Sequence, residues 1–178
     1  MRASGVVAVP SAEPALLAQT PLFRFGEGLS LTTFNISCSP AMMQDQTDTN
    51  AAAAAAAPPT PSPPLPIYRR IIVTCTVTNT GTMVGDEVLQ VYHAAGDAVR
   101  TAASKLHPVP LKQLVEFERF IDLAPGKAQS VTMSLDPDAV LALTAANGSK
   151  VVYPGEHKLI FSTGVPAVPD VVQTVVVQ

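Results

Sequence analysis

The run Val73–Tyr92, VTCTVTNTGTMVGDEVLQVY, constrains the fold more than any other part of this chain. Ile71, Val73, Cys75 and Val77 alternate with Thr74, Thr76 and Thr78. Alternation with a period of two puts the first set on one face of a strand and the threonines on the other, the pattern of a half-buried antiparallel strand. Asn79-Thr80-Gly81 reads as a turn, and Val88–Tyr92 as a second strand, so the segment is expected to form a hairpin.

Short strands with turn residues between them continue downstream. Leu111–Leu123 carries Val115, Phe117 and Ile121 on one expected face and Glu116, Glu118 and Asp122 on the other. Ala124-Pro125-Gly126-Lys127 is a turn, with Pro presetting φ and Gly accepting a positive φ. Val131, Met133 and Leu135 alternate inward, and Asp136–Leu143 is expected to hold a cap and one helical turn. Asn147-Gly148 signals a hairpin, Pro154-Gly155 a turn, Glu156–Thr163 a strand and Val171–Val177 a final strand. Ala94–Pro110 reads as a long polar loop. The sum predicts an all-β, immunoglobulin-like antiparallel sandwich of about 100 residues.

The chain divides into 1–20, an unstructured N-terminal segment; 21–37, a linker motif with a first strand; 38–66, an Ala/Pro-rich linker; and 67–178, the sandwich. Seven alanines (Ala51–Ala57) precede PPTPSPPLP. Seven alanines are too few for a stable isolated helix, and the prolines favour extended polyproline, so disorder or a loose excursion is expected.

Charge narrows the function classes. A net charge of −3 with 14% charged residues leaves no basic patch for nucleic acid and no polybasic tail for a membrane. Pro10, Glu13 and Pro14 interrupt the N-terminal apolar stretch, which makes a poor signal peptide. Trp is absent, and Tyr68, Tyr92 and Tyr153 are the only tyrosines, a sparse set for stacking on sugar rings. Cys75 lies on the apolar face of its strand, which favours a reduced core thiol. A bridge to Cys38 requires the first strand to run beside Ile71–Val77. Two N-x-S/T sequons occur at Asn35 and Asn147, the second in a turn and the better glycosylation candidate.

Five segments together resemble one family. PLFRFGEGLSLTTF (21–34) resembles the P-L-x-P-F-G-x-G-L-S-Y-T-x-F stretch of family-3 glycoside hydrolases, the β-glucosidases and β-xylosidases. TVTNTGTMVGDEVLQVY resembles the V-x-N-T-G-x-x-x-G-x-E-V-x-Q-x-Y of their C-terminal fibronectin type III-like domain. PLKQLVEFERF (110–120), LAPGKAQSVTMSL (123–135) and VVYPGEHKLIFSTG (151–164) resemble its later segments. Leu31, Arg24 and Glu116 depart from the family's usual aromatic, Pro and Gly. The resemblance implies a fibronectin type III-like accessory sandwich with a low-complexity insertion. Its partners would be the catalytic domains of the parent glycosidase, and that parent would be extracellular or in the secretory pathway. The segment Pro108–Phe120 leans toward the β-xylosidase side.

The family's chemistry is not expected in this chain. Retaining hydrolysis needs two carboxyl groups roughly 5–5.5 Å apart, one ionised and one with a raised pKa. In the resembled family both precede the segment matched by residue 21, and a barrel alone takes on the order of 250 residues. Among local carboxylates, Glu116 and Glu118 lie roughly 7 Å apart along a strand and read as a solvated face beside Lys112 and Arg119. Asp86 and Glu87 point to opposite faces, and Asp136 and Asp138 bracket Pro137 as caps. His93, His107 and His157 fall in separate segments without metal-ligand spacing. No catalytic, cofactor-binding or metal-binding residues are expected, and no cofactor.

Three readings follow. The first is an accessory sandwich of a family-3 glycosidase, with Ala94–Pro110 as the loop that would reach a cleft rim. The second is a free-standing carbohydrate- or protein-binding module. The third is a C-terminal fragment of a longer enzyme.

Overall fold

The computed structural model describes residues 28, 30–47 and 67–178. Two antiparallel sheets face each other across one core. Strand β3 (Ile67–Asn79) is the spine of the first. On one side it pairs with β6 (Ala128–Leu135), Ile71 opposite Leu135 and Thr78 opposite Ala128. On the other side two shorter strands share its length: β2 (Met42–Thr47) along the first half and β1 (Phe34–Cys38) along the second. The second sheet has the order β10 (Val171–Val177), β9 (Gly155–Ser162), β4 (Gly85–Ala95), β5 (Gln113–Leu123). A small ladder of β7 (Leu143–Thr144) and β8 (Lys150–Val151) turns through Asn147-Gly148, where Gly148 takes a φ of 85°.

The inward set on β3 is as the alternation predicts, with Ile71, Val73, Cys75 and Val77 fully buried. They meet Leu89 and Val91 of β4, Leu159 and Phe161 of β9, and Phe120 of β5. The helical turn α2 (Pro137–Val140) is capped by Asp136, whose carboxylate accepts from the Asp138 amide at 3.0 Å.

Several expectations are corrected. β3 and β4 do not form a hairpin, because they lie in different sheets and the Asn79–Val84 segment crosses between them. Cys75 is not a free thiol. Strand β1 runs beside β3 with Cys38 opposite Cys75, and the two are disulfide-bonded. Residues 42–47, expected inside the linker, form β2, and Thr47 pairs with Ile67. The Ala/Pro segment 48–66 therefore leaves and returns at adjacent positions of one sheet; its own conformation, like that of 1–27, lies outside the described residues.

The stretch Ala94–Pro110 contains a helix, α1 (Asp97–Ala103), with Val99 and Ala103 buried. On β5 the expected face is only partly right. Val115 packs against the core, but Phe117 is 61% and Ile121 62% exposed, and Phe120 and Leu123 are buried instead. The cause is a pair of register shifts against β4, one between Val91 and Tyr92 and one between Gly85 and Glu87. Each extra residue on β5 turns the side chains that follow to the other face. Asp122, at φ 53°, sits in the second shift.

Candidate functional site

Three features of this sandwich go beyond packing: a clamp at Asn79, an apolar row on an outer sheet face, and a buried histidine pair.

Asn79 is fully buried where β3 leaves its sheet, and its side chain uses every hydrogen-bonding position an amide has. Its Nδ2 donates to the carbonyls of Met83 and Leu123, each at 2.7 Å. Its Oδ1 accepts from the Gly81 amide at 3.0 Å and from the Thr32 hydroxyl at 2.8 Å. The backbone amides of Thr80 and Gly81 donate to the Thr33 carbonyl. Gly81 must be glycine here, since a Cβ would lie 2.7 Å from the Thr33 nitrogen. The Asn-Thr-Gly motif thus fastens the segment that leads into β1. The end of PLFRFGEGLSLTTF and the crossover of TVTNTG, 47 residues apart, are one joint. A cavity of about 460 Å³ opens beside it, lined by Thr32, Phe34, Glu87 and Val168 among others. Burial pushes the Glu87 carboxyl above its ordinary value, opposed by the Val88 amide donating to it.

The outer face of the second sheet is apolar across its width. Val172 stands opposite Ile160, Ile160 opposite Tyr92, and Tyr92 opposite Leu114, so one residue from each strand forms a row. Phe117 lies in the next row, beside Gln90. Tyr92 itself is buried, with the Lys112 ammonium 4.2 Å from its ring centre and its hydroxyl bonded to Gln90. Burial raises the Tyr92 phenol, and Asp170 adds to the shift. Val172, Leu114 and Phe117 are exposed.

His93 on β4 and His157 on β9 touch, Nε2 to Nδ1, at 2.9 Å, and neither is open to solvent. His107 joins the same end of the molecule through Tyr153, whose hydroxyl lies 2.8 Å from His107 Nε2. The sequence keeps these histidines in separate segments, and no spacing rule connects residues 64 apart. Their meeting depends on β4 and β9 being sheet neighbours. Among the described residues no three His, Cys, Asp or Glu side chains gather as metal ligands would.

The local carboxylates do not converge. Glu116 and Glu118 are exposed on the edge strand β5. Arg119, expected beside them, instead holds Asp86 at 2.7 Å, and the Asp122 amide donates to the same carboxylate. The Arg119 hydrogen bond draws the Asp86 carboxyl below its ordinary value. Asp136 is occupied with its cap and lies 3.8 Å from Arg70. Among the described residues, these carboxylates are held at separate places on the surface.

Residues 87–163 match the fibronectin type III-like domain family. The chain is 33% identical over 140 residues to a probable exo-1,4-β-xylosidase of Aspergillus fumigatus, a match covering 79% of this chain and 16% of that protein. The exo-1,4-β-xylosidase of Emericella nidulans is 32% identical over the same length, with the same shares. Among solved structures, a β-glucosidase from Listeria innocua superposes with a TM-score of 0.60 at 26% identity, over 88% of this chain and 17% of that one. A β-glucosidase from Kluyveromyces marxianus gives 0.63 at 24% identity, over 92% and 16%. The chain therefore spans about a sixth of the length of the curated relatives it matches. It is a fibronectin type III-like β-sandwich of the kind carried by family-3 glycoside hydrolases.

Proposed function

We propose that this chain is the non-catalytic accessory sandwich of a family-3 glycosidase of the exo-β-xylosidase type, and that it docks on the catalytic domains through the outer face of its second sheet. The observation that carries the reading is the row Val172–Ile160–Tyr92–Leu114 with Phe117 beside it, an apolar strip in which Val172, Leu114 and Phe117 are exposed. Contiguous exposed apolar surface marks a contact site. The Asn79 clamp supports the same reading, because it fixes the direction in which the chain arrives at β1 through Thr32 and Thr33. The disulfide fits a parent enzyme that folds in an oxidising compartment. The preference for the xylosidase type rests on relatives named exo-1,4-β-xylosidases.

The carbohydrate-module alternative draws less support. Tyr92 is buried beneath Lys112 and Tyr153 is engaged with His107, which leaves neither ring as a platform for a sugar.

The test is complementation. A related fungal β-xylosidase is expressed without its own fibronectin-like domain, alone and together with this chain, and assayed on an aryl xyloside. Co-purification with a gain in activity and thermal midpoint supports the proposal. Independent behaviour of the two proteins, or saturable binding of xylo-oligosaccharides by the isolated chain, would overturn it.

A further inference from the structure

The hydrogen-bond network around the histidine pair fixes where every ring proton sits. His157 Nε2 lies 2.8 Å from the Tyr153 carbonyl, which only accepts, so Nε2 carries the proton and Nδ1 is a bare acceptor. His93 Nε2, 2.9 Å from that Nδ1, must therefore donate. His93 Nδ1 is then the acceptor, and it faces the Gln113 amide nitrogen at 3.1 Å. Gln113 cannot turn its oxygen toward the ring without cost, because the same nitrogen also donates to the Ala142 carbonyl at 2.8 Å. Each ring is neutral, in one tautomer, with both nitrogens engaged. A proton added to His157 Nδ1 would oppose the His93 N–H, and one added to His93 Nδ1 would oppose the Gln113 amide.

The charged and titratable groups around the pair do not relieve this. Helix α1 brings Arg100, whose guanidinium donates to the carbonyls of Val109, Pro110 and Leu111. β9 brings His157 itself. β5 brings the neutral Gln113, and Lys112 just before it lies over the Tyr92 ring on the opposite face. The segments before β5 and β9 bring His107 and Tyr153. No carboxylate bonds to either ring among the described residues. His107 is the useful contrast. Its Nδ1 donates to the Pro108 carbonyl, so its Nε2 accepts from the Tyr153 hydroxyl. A hydroxyl can rotate and either donate or accept, so the His107–Tyr153 contact does not fix its proton as the His93–His157 contact does.

The pair sits where a second, small core meets the sandwich. Ala95, Val99, Ala103 and Leu143 form a cluster separate from the main one, with Val109 and Tyr153 packed against it. A seven-residue helix does not hold its shape alone. α1 stays in place through this packing, the Arg100 bonds, the Gly96 amide donating to the Glu156 carbonyl, and the Tyr153 segment that His157 grips. We propose that His93 and His157 form a pH-sensitive lock, which holds the α1 end of the sandwich while the pair keeps its hydrogen bonds and releases it when acid places a proton on His93.

Burial, helped by His157 and Arg100, lowers the His93 pKa from 6.5 to about 4. The released ring titrates near its ordinary value, so the neutral native ring contributes stability that is complete above pH 6.5 and declines as the pH falls toward about 4. Between pH 7.5 and 5 the released state gains roughly 30-fold.

The test is hydrogen exchange of the whole 178-residue chain at pH 7.5 and 5, corrected for intrinsic rates. Protection across residues 97–111 should fall by about ten- to thirty-fold while that of β3 and β6 holds, and in His93→Gln it should change by less than about threefold. Unchanged protection in 97–111, an equal fall across β3 and β6, or the same fall in His93→Gln would overturn the lock. Nitrogen chemical shifts of the wild-type imidazoles give a readout that needs no variant. The His93 ring should remain neutral with its proton on Nε2 at pH 6, and a charged His93 ring or its other tautomer would also overturn it.

Discussion

Thr74, Thr76 and Thr78 face outward from one sheet of this sandwich; Tyr92, Ile160 and Val172 face outward from the other. The threonines lie on β3, the spine of the first sheet; Tyr92 and Ile160 lie on the central strands β4 and β9 of the second and Val172 on its edge strand β10, and both sets back onto the same core. On the first sheet the threonines pair with Thr132 and Ser130 through hydroxyl contacts of 2.9 and 2.8 Å, with Ser37 and Asn35 alongside. On the second sheet the equivalent positions carry an apolar row four strands wide. β-branched residues suit either surface, so strand propensity does not explain the difference. On the proposed docking, what differs is the neighbour each face meets: water on the first, another protein surface on the second. Both sequons avoid the apolar row, Asn35 lying on the hydroxyl face and Asn147 in the β7–β8 turn.

The sharpest way to break this comparison is to place a glycan on the apolar face. Thr174→Asn with Val176→Thr creates a sequon on β10, in the row next to Val172. With the chain secreted from a eukaryotic host, the sugar should abolish docking in the complementation assay, a loss of more than about tenfold, or ~1.4 kcal/mol. Sugar at Asn147, read by mass before and after glycosidase treatment, should leave docking intact. If the glycan on β10 changes nothing, the partner does not sit on this face.

Next in size is the disulfide, which bolts the hydroxyl-faced sheet together where its edge is split between β1 and β2. It closes a separation of 37 residues that includes the Ala/Pro segment. The chain-entropy relation gives about 4 kcal/mol for a loop of that length. Cys38→Ala with Cys75→Ala should lower the thermal midpoint by roughly 8–16 °C. A drop below about 2 °C would mean that the strand pairing alone holds β1.

A smaller effect is expected from Thr76→Val, which exchanges the Ser130 contact for a methyl group on the wet face. Stability should move by less than about 0.5 kcal/mol in urea, and docking should not move at all. Phe117→Ser on the other face should be similarly mild for the isolated chain and yet weaken docking. That split between two readouts is the mark of a contact residue.

What the sequence made legible follows from the range of each interaction. Alternation on β3 and β6 is local, so those strands and their inward residues could be read directly. Pairing is not local. Nothing in VTCTVTNTGTMVGDEVLQVY says that its two strands enter different sheets. That depends on Asn79 reaching Met83, Leu123 and Thr32 at once. The disulfide hung on the path of β1, which the residues allowed but did not decide. On β5 two single-residue shifts were enough to exchange Phe117 and Ile121 for Phe120 and Leu123, and a period-two count has no way to see a shift. The histidine pair was invisible for the same reason as the crossover, since it exists only once β4 and β9 are neighbours.

The least of the expected effects tests inside against outside within two consecutive residues. Asp86 points outward to Arg119 and Glu87 turns toward the interior beside Phe34 and Val168. Arg119 lowers the Asp86 pKa from 3.8, so below that value the unfolded chain binds the proton first and stability falls as the pH drops through the native pKa. Burial raises the Glu87 pKa from 4.5, so there the native state binds the proton first. Stability then rises as the pH drops through the raised value and levels off near 4.5. Urea midpoints from pH 6.5 to 3, taken as differences from wild type so that the histidine contribution cancels, should therefore separate the two. Asp86→Asn should remove a loss confined below about pH 4, and Glu87→Gln should remove a gain confined above about pH 4.5. Differences of the same sign would mean that Glu87 is solvated like its neighbour, and that the joint beside Asn79 is wetter than its packing implies.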